Sequence, residues 1–193
     1  MHKQPKPTSA QTWLFARNFL KHPNMLGWFL PSSRFLVERV LRQVDWVRAR
    51  IIVEYGPGVG TFTWEILRRM RPDAILIALE TNGAFVKCLQ DAHSDHRLHI
   101  VHGSAEDVES VLAQLGHGCA DYVISGIPFK TLPEAVKEPI VRATHSVLHD
   151  KGAFLVYNFS RAVEPYLQRV FGTVRQEFEP LNIMPARLFY CMR

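Results

Sequence analysis

The chain has 193 residues and a formal net charge of +5, which suits one globular domain with a substantial core. Hydrophobic residues make up 47% of the sequence and charged residues 21%, a balance that excludes a wholly disordered chain. No run approaches the ~20 consecutive apolar residues of a membrane-spanning helix, and three widely spaced cysteines favour reduced thiols in a cytosolic protein.

The positive charge is concentrated at the start of the chain. The first 50 residues carry nine basic and two acidic side chains, whereas the remainder carries 14 basic and 16 acidic ones. A basic segment on a nearly neutral body predicts contact with an anionic partner, although charge alone also fits a solvated helix face.

Two helices are predicted in this basic segment, over residues 10–21 and from residues 31–34 to about Val44. The first helix has Trp13 on one face and Arg17 on another. Two interpretations stay open, a helix that lies in an anionic membrane interface and a helix that packs on the domain.

Short apolar runs then alternate with amphipathic stretches. Strands are predicted at residues 51–55, 74–79, 98–101, 122–124, 153–159, 174–178 and 187–192, and helices at 63–70, 84–92, 106–115, 132–148 and 163–171. The alternation predicts an α/β fold with five parallel strands and helices on both faces of the sheet. The short link between the last two strands permits an antiparallel pair. This order resembles the Rossmann-like class I methyltransferases, with seven strands and the last one antiparallel.

A glycine-rich loop follows the first strand. Gly56, Gly58 and Gly60 alternate after Glu54, and this spacing differs from the GxGxxG pattern of dinucleotide-binding oxidoreductases. Glu80 closes the second strand, where a carboxylate can accept both ribose hydroxyls of an adenosine ligand. Together these residues predict a site for S-adenosylmethionine.

The third strand ends near the predicted adenine position. Ser104 stands where methyltransferases of this class often carry an aspartate that receives the adenine amino group. Three contacts for adenine stay open: the Ser104 side chain, the Ala105 backbone and Glu106.

The fourth strand ends in Ser125 and Gly126, and its loop is expected to line the methyl-transfer site. Enzymes that methylate nucleobase amines tend to place Asn, Asp or Ser two residues before the proline, here Pro128. Because Gly126 offers no side-chain amide, the sequence argues against a nucleobase acceptor.

Nearly the whole chain resembles the small bacterial phospholipid N-methyltransferases. The segments that carry this resemblance are residues 19–23, 31–34, 54–60, 80, 125–128 and 182–186. The resemblance implies conversion of phosphatidylethanolamine to phosphatidylcholine, or methylation of a related aminolipid. It also implies cofactor contacts at Ser33, Ser125 and Gly126. The departures from the family pattern, at Ser104, Phe129 with Lys130, and Met184, bear on the acceptor more than on the cofactor.

Three side chains are candidates for the catalytic step. Tyr157, at the end of the fifth strand, either orients the amine or faces the core. Phe129 can stabilise a methylated ammonium by cation–π contact, and Ser125 lies in the same loop region.

A single methyltransferase domain is predicted over residues 1–193, with residues 1–45 recognising substrate and membrane and residues 46–193 forming the catalytic core. The expected location is cytoplasmic, on the inner face of the membrane. The alternative is a nucleic-acid amine methyltransferase, since the family is related to the rRNA adenine dimethyltransferases. A binding module with a vestigial cofactor loop is a third alternative. His93, His96, His99 and His102 run from a helix end into a strand and do not converge, so no metal site is expected.

Overall fold

The computed structural model describes residues 32–92 and 94–193. The predicted helix over residues 10–21 lies outside these residues. The second predicted helix begins at Arg34, with Ser33 as its N-cap, and ends at Leu41. Among the described residues, no helix has the length and apolar character to cross a membrane.

The described chain alternates strands and helices. The strands are β1 Ile51–Tyr55, β2 Ile75–Glu80, β3 Leu98–His102, β4 Ala120–Ser125, β5 Leu148–Asn158, β6 Thr173–Glu179 and β7 Ala186–Met192. The α-helices are α1 Arg34–Leu41, α2 Thr61–Arg69, α3 Gly83–Ala92, α4 Val108–Gln114, α5 Glu134–Val147 and α6 Glu164–Val170. Short 3₁₀ turns at Ala105–Asp107 and Phe129–Thr131 precede α4 and α5.

The strands form one seven-stranded sheet in the order β3-β2-β1-β4-β5-β7-β6. Strands β1 to β5 pair in parallel, and β7 is antiparallel to both of its neighbours. Buried side chains of α4, α5 and α6 cover one face of the sheet, and those of α1 and α2 cover the other. The predicted α/β fold with an antiparallel last strand is confirmed.

Strand β5 begins five residues before its predicted start. Ala120 pairs with Leu148, but Tyr122 pairs with Ala153, so β5 carries extra residues that β4 does not oppose. The residues of this bulge, 149–151, are polar and exposed. They lack the alternating apolar pattern by which a strand is recognised in a sequence.

The loop between β6 and β7 lies at the same edge of the sheet as the carboxyl ends of the parallel strands. Arg187, near the start of β7, is opposite Asn158, the last residue of β5. It is also opposite Phe178, near the end of β6. Residues 180–185 therefore join the edge where a ligand binds in an open α/β sheet.

Candidate active site

The glycine loop presents its backbone to open space. Gly58 has a φ of +55°, and a Cβ added there would meet no heavy atom within 4 Å. Gly60 has a φ of +82° and precedes α2 without a side-chain cap, so the first N–H groups of the helix have no capping side chain. A loop and helix N-terminus of this kind offer backbone donors to an anionic group, such as a carboxylate.

Glu80 braces the glycine loop at the end of β2. Its side chain is 7% exposed, and it accepts hydrogen bonds from the Gly58 N–H at 3.1 Å and the Asn82 N–H at 2.9 Å. A carboxylate has about four acceptor positions, so about two remain for further donors. This fits the predicted role toward two ribose hydroxyls.

Glu54 is buried beneath the same loop. Its carboxyl accepts a 2.7 Å hydrogen bond from the Thr63 hydroxyl and is 2% exposed. Burial raises its pKa from 4.5 to about 8, and the nearby Glu80 carboxylate contributes to the increase. Glu80, with acceptor positions still free beside a bare glycine loop, suits a ligand that carries two ribose hydroxyls, as S-adenosylmethionine does. The residues present therefore fit the predicted cofactor.

The raised pKa of Glu54 makes stability depend on pH. The folded protein holds a proton that the unfolded chain releases above pH 4.5, so the free energy of unfolding should fall as the pH rises from about 4.5 to 8. The expected slope from this one group is about 1.4 kcal/mol per pH unit. Denaturant unfolding of the wild type and of Glu54→Gln at several pH values measures it. An equal slope in both proteins would contradict the pKa.

The end of β3 lies beside the end of β2. The Gly103 N–H donates to the Glu80 carbonyl at 3.1 Å. Ser104 caps the following turn, with its hydroxyl accepting from the Glu106 N–H at 3.3 Å, and Ala105 is buried. The structure thus brings all three proposed adenine contacts near Glu80, and the choice between them stays a prediction.

Tyr157 fills the space above Gly126. Its ring stacks on Phe62 with a centroid distance of 4.5 Å, and its hydroxyl hydrogen-bonds to the side chain of Ser32. A Cβ added to Gly126 would lie 2.6 Å from Tyr157 Cζ and closer still to the hydroxyl. Burial, with the nearby Glu54, raises the pKa of the Tyr157 phenol, so it is neutral at physiological pH.

The loop after β4 is held by polar side chains. Ser125 is fully buried, and its hydroxyl accepts from the Ile127 N–H at 3.3 Å. Asn158 donates from Nδ2 to the Ile127 carbonyl at 2.9 Å. Phe129 is fully buried in the core under α4 to α6, where it packs with apolar side chains. This position gives it no exposed face for an ammonium group, and its proposed contact stays a prediction.

The structure gives Ser33 a capping role. Its hydroxyl accepts from the Leu36 N–H at 3.2 Å at the start of α1, and its own N–H donates to Asn182 Oδ1 at 2.8 Å. The neighbouring Ser32 is the residue that reaches Tyr157. A direct contact between Ser33 and the cofactor stays a prediction.

Four site residues were not singled out from the sequence: Ser32, Phe62, Thr63 and Asn158. Asn158 carried a usable signal, because a polar residue that ends a parallel strand lies at the ligand edge of the sheet. Thr63 reaches the site through Glu54, nine residues earlier, whereas Ser32 and Phe62 reach it through Tyr157, which is distant in the sequence. Within residues 32–92 and 94–193, no three His, Cys, Asp or Glu side chains are placed to hold a metal ion.

Comparison with known proteins agrees with this geometry. The family model described as "Methyltransferase small domain" matches residues 18–180. The ornithine lipid N-methyltransferase of Singulisphaera acidiphila is 31% identical over 181 residues, which cover 93% of this chain and 94% of that protein.

Solved structures share the fold at low identity. The Burkholderia thailandensis 1,6-didemethyltoxoflavin-N1-methyltransferase, solved with S-adenosylhomocysteine, matches with a TM-score of 0.66 and 10% identity, covering 100% of this chain and 93% of that one. The spermidine synthase of Thermotoga maritima has a TM-score of 0.62 and 14% identity, covering 83% of this chain and 59% of that one.

Proposed function

Because this chain belongs to the methyltransferase small domain family and is an S-adenosylmethionine-dependent methyltransferase, we propose that it methylates the amine of a lipid headgroup. The acceptor proposed is an amino-acid-headed lipid of the ornithine lipid type. The name of the Singulisphaera relative supports this acceptor. It favours ornithine lipid over phosphatidylethanolamine, the acceptor that the sequence led us to expect.

The packing of Tyr157 on Gly126 carries the proposal. Position 126 has no side chain to hold a planar base amine, and the space for one is filled by the Tyr157 hydroxyl and ring. Phe62 stacks on that ring and Ser32 hydrogen-bonds to the hydroxyl, so Tyr157 is held in place. The geometry supports an aliphatic amine as acceptor more than a nucleobase.

The chain's own residues account for how such an amine is prepared. The cofactor supplies a methyl group bonded to a positively charged sulfur. A primary amine with a lysine-like pKa near ~10.4 is almost fully protonated at pH 7 and must release a proton to solvent water before its lone pair can attack the methyl group. Burial beside Phe62 and Tyr157 disfavours the charged amine. In this proposal the neutral Tyr157 hydroxyl orients the amine.

The proposed cofactor residues are Ser33, Glu54, Gly56, Gly58, Gly60, Glu80, Ser104, Ala105, Ser125 and Gly126. Of these, Glu54, Glu80 and the glycines are best supported by the geometry described above. Attachment to the inner face of the membrane through the basic amphipathic helix predicted over residues 10–21 remains part of the proposal.

Transfer of a labelled methyl group from S-adenosylmethionine tests the proposed function. The purified chain is incubated with anionic vesicles that contain ornithine lipid, phosphatidylethanolamine or neither, and separately with rRNA. Label is expected in ornithine lipid, at a rate at least tenfold above phosphatidylethanolamine. Label in rRNA with none in either lipid would contradict the proposal. Label in phosphatidylethanolamine alone would retain a lipid acceptor and correct its headgroup.

A further inference from the structure

Five exposed apolar side chains surround the contact between Ser33 and Asn182. Three of them lie in the loop between β6 and β7, where Leu181 is 60%, Ile183 64% and Met184 39% exposed. The other two are Phe35 on α1 and Phe178 on β6, and we call these five residues the apolar rim.

Beside the apolar rim lie two arginines that have no acidic partner among residues 32–92 and 94–193. The Arg34 guanidinium lies 4.8 Å from the Phe35 ring centroid, and that of Arg187 lies 5.7 Å from the Phe178 centroid. Neither forms an ion pair with a described acidic residue, whereas the nearby Arg39 binds Glu179 at 2.7 Å. Exposed aromatic rings beside unpaired arginines are typical of surfaces that meet an anionic lipid interface.

The apolar rim is connected to the acceptor side of the site. The Ser33 N–H donates to Asn182 Oδ1, and Asn182 Nδ2 donates to the Met184 carbonyl at 2.9 Å, which fixes the loop against the start of α1. The adjacent Ser32 hydrogen-bonds to the Tyr157 hydroxyl. One short path of contacts therefore runs from the apolar rim to the residue proposed to orient the amine.

We propose that the apolar rim inserts into the interface of an anionic bilayer, with Arg34 and Arg187 contacting lipid phosphates. The inference rests on the proposed lipid acceptor, since a headgroup amine is brought to Tyr157 most directly if the membrane meets this edge of the sheet. A bilayer is favoured over a protein partner for two reasons. The two arginines match the negative charge of its surface. The three exposed apolar side chains of the loop can be buried among its acyl chains.

Charge insertion into the apolar rim tests the proposal. Ile183→Asp and Leu181→Asp are made in the full chain, and cosedimentation with phosphatidylglycerol-rich vesicles that lack any methyl acceptor is measured. Val47→Asp is the matched control, because Val47 is 76% exposed and precedes β1 at the opposite edge of the sheet. Binding of S-adenosylhomocysteine by calorimetry verifies that each variant is folded.

We expect at least a tenfold loss of vesicle partitioning in both rim variants and none in Val47→Asp. All three variants keep residues 1–31. Stable membrane attachment generally requires two attachment elements, so loss of the apolar rim alone is sufficient to release the protein. An Arg34→Gln, Arg187→Gln double variant, free of any change in the loop, should lose binding with a weaker dependence on salt.

Wild-type partitioning of the folded rim variants would overturn the proposal. Sedimentation velocity on the same proteins would then show whether a second copy of the chain covers the apolar rim. Truncation of residues 1–31 would show whether that segment covers it. Because the vesicles contain no acceptor, the result is independent of methyl transfer. Loss of binding without any lipid methylation would retain the docking surface and reject the proposed function.

Discussion

Replacing Gly126 with alanine is expected to lower the rate of lipid methylation at least 100-fold while the protein stays folded. The added Cβ would lie 2.6 Å from Tyr157 Cζ, far inside van der Waals contact. Tyr157 can move aside only by breaking its stacking on Phe62 and its hydrogen bond to Ser32. A displacement of about 1 Å of a positioning group costs about 100-fold in rate.

A double-variant cycle separates this clash from other effects. Tyr157→Ala removes the atoms that the new methyl group meets, so Gly126→Ala should have little additional effect in that background. The rates are measured on ornithine lipid vesicles, and cofactor affinity is measured in parallel. If the two substitutions multiply in their effects on the rate, the contact between positions 126 and 157 is not the cause.

Tyr157→Phe distinguishes the hydroxyl from the ring. It keeps the stacking on Phe62 but loses the hydrogen bond to Ser32. If the hydroxyl orients the amine, the rate constant should fall while the affinity for vesicles is unchanged. An unaltered rate constant would reduce Tyr157 to a packing role.

The order of the elements was predictable because each strand carries its own local signal. Apolar runs such as Ile51–Tyr55 are short, and amphipathic helices follow them, so the parallel sheet and its last antiparallel strand follow from pattern and chain connectivity. The start of β5 was not predictable, because residues 149–151 are polar and exposed and lie in the bulge that β4 does not oppose.

The cofactor side of the site was predictable for a related reason. Glu54 is placed next to the last residue of β1 and Glu80 is the last residue of β2, and the glycine spacing identifies the loop that follows β1. The acceptor side depends on packing across strands. That Gly126 makes room for Tyr157 requires the register of β4 against β5, which no local pattern in the sequence reveals.

The serine run before α1 shows the same limit. The sequence resemblance indicated Ser33, and the structure uses Ser33 to cap the helix and to hold Asn182. Ser32 instead hydrogen-bonds to Tyr157, 125 positions later in the chain. Which of two adjacent serines faces the site is decided by the angle at which α1 begins, and this angle is set by tertiary contacts.

Replacing Glu80 with alanine is expected to weaken S-adenosylmethionine binding at least 100-fold. Each hydrogen bond to a charged group contributes about 1.5–3 kcal/mol, and two ribose hydroxyls would lose their acceptor together. The loss of the bond from the Gly58 N–H also frees the glycine loop that the cofactor must contact. Calorimetric titration with S-adenosylhomocysteine measures the affinity.

Two further variants assign this effect to the carboxylate. Glu80→Gln keeps an oxygen for one backbone donor but turns the other position into an amide donor that faces the second backbone N–H, so its affinity should lie between those of the wild type and Glu80→Ala. Glu109→Ala removes an exposed carboxylate on α4 and should bind like the wild type. Wild-type affinity in Glu80→Ala would place the ribose elsewhere. The acidic residue at the end of β2 would then serve only to brace the loop, and the cofactor site would have to be rebuilt around Glu54.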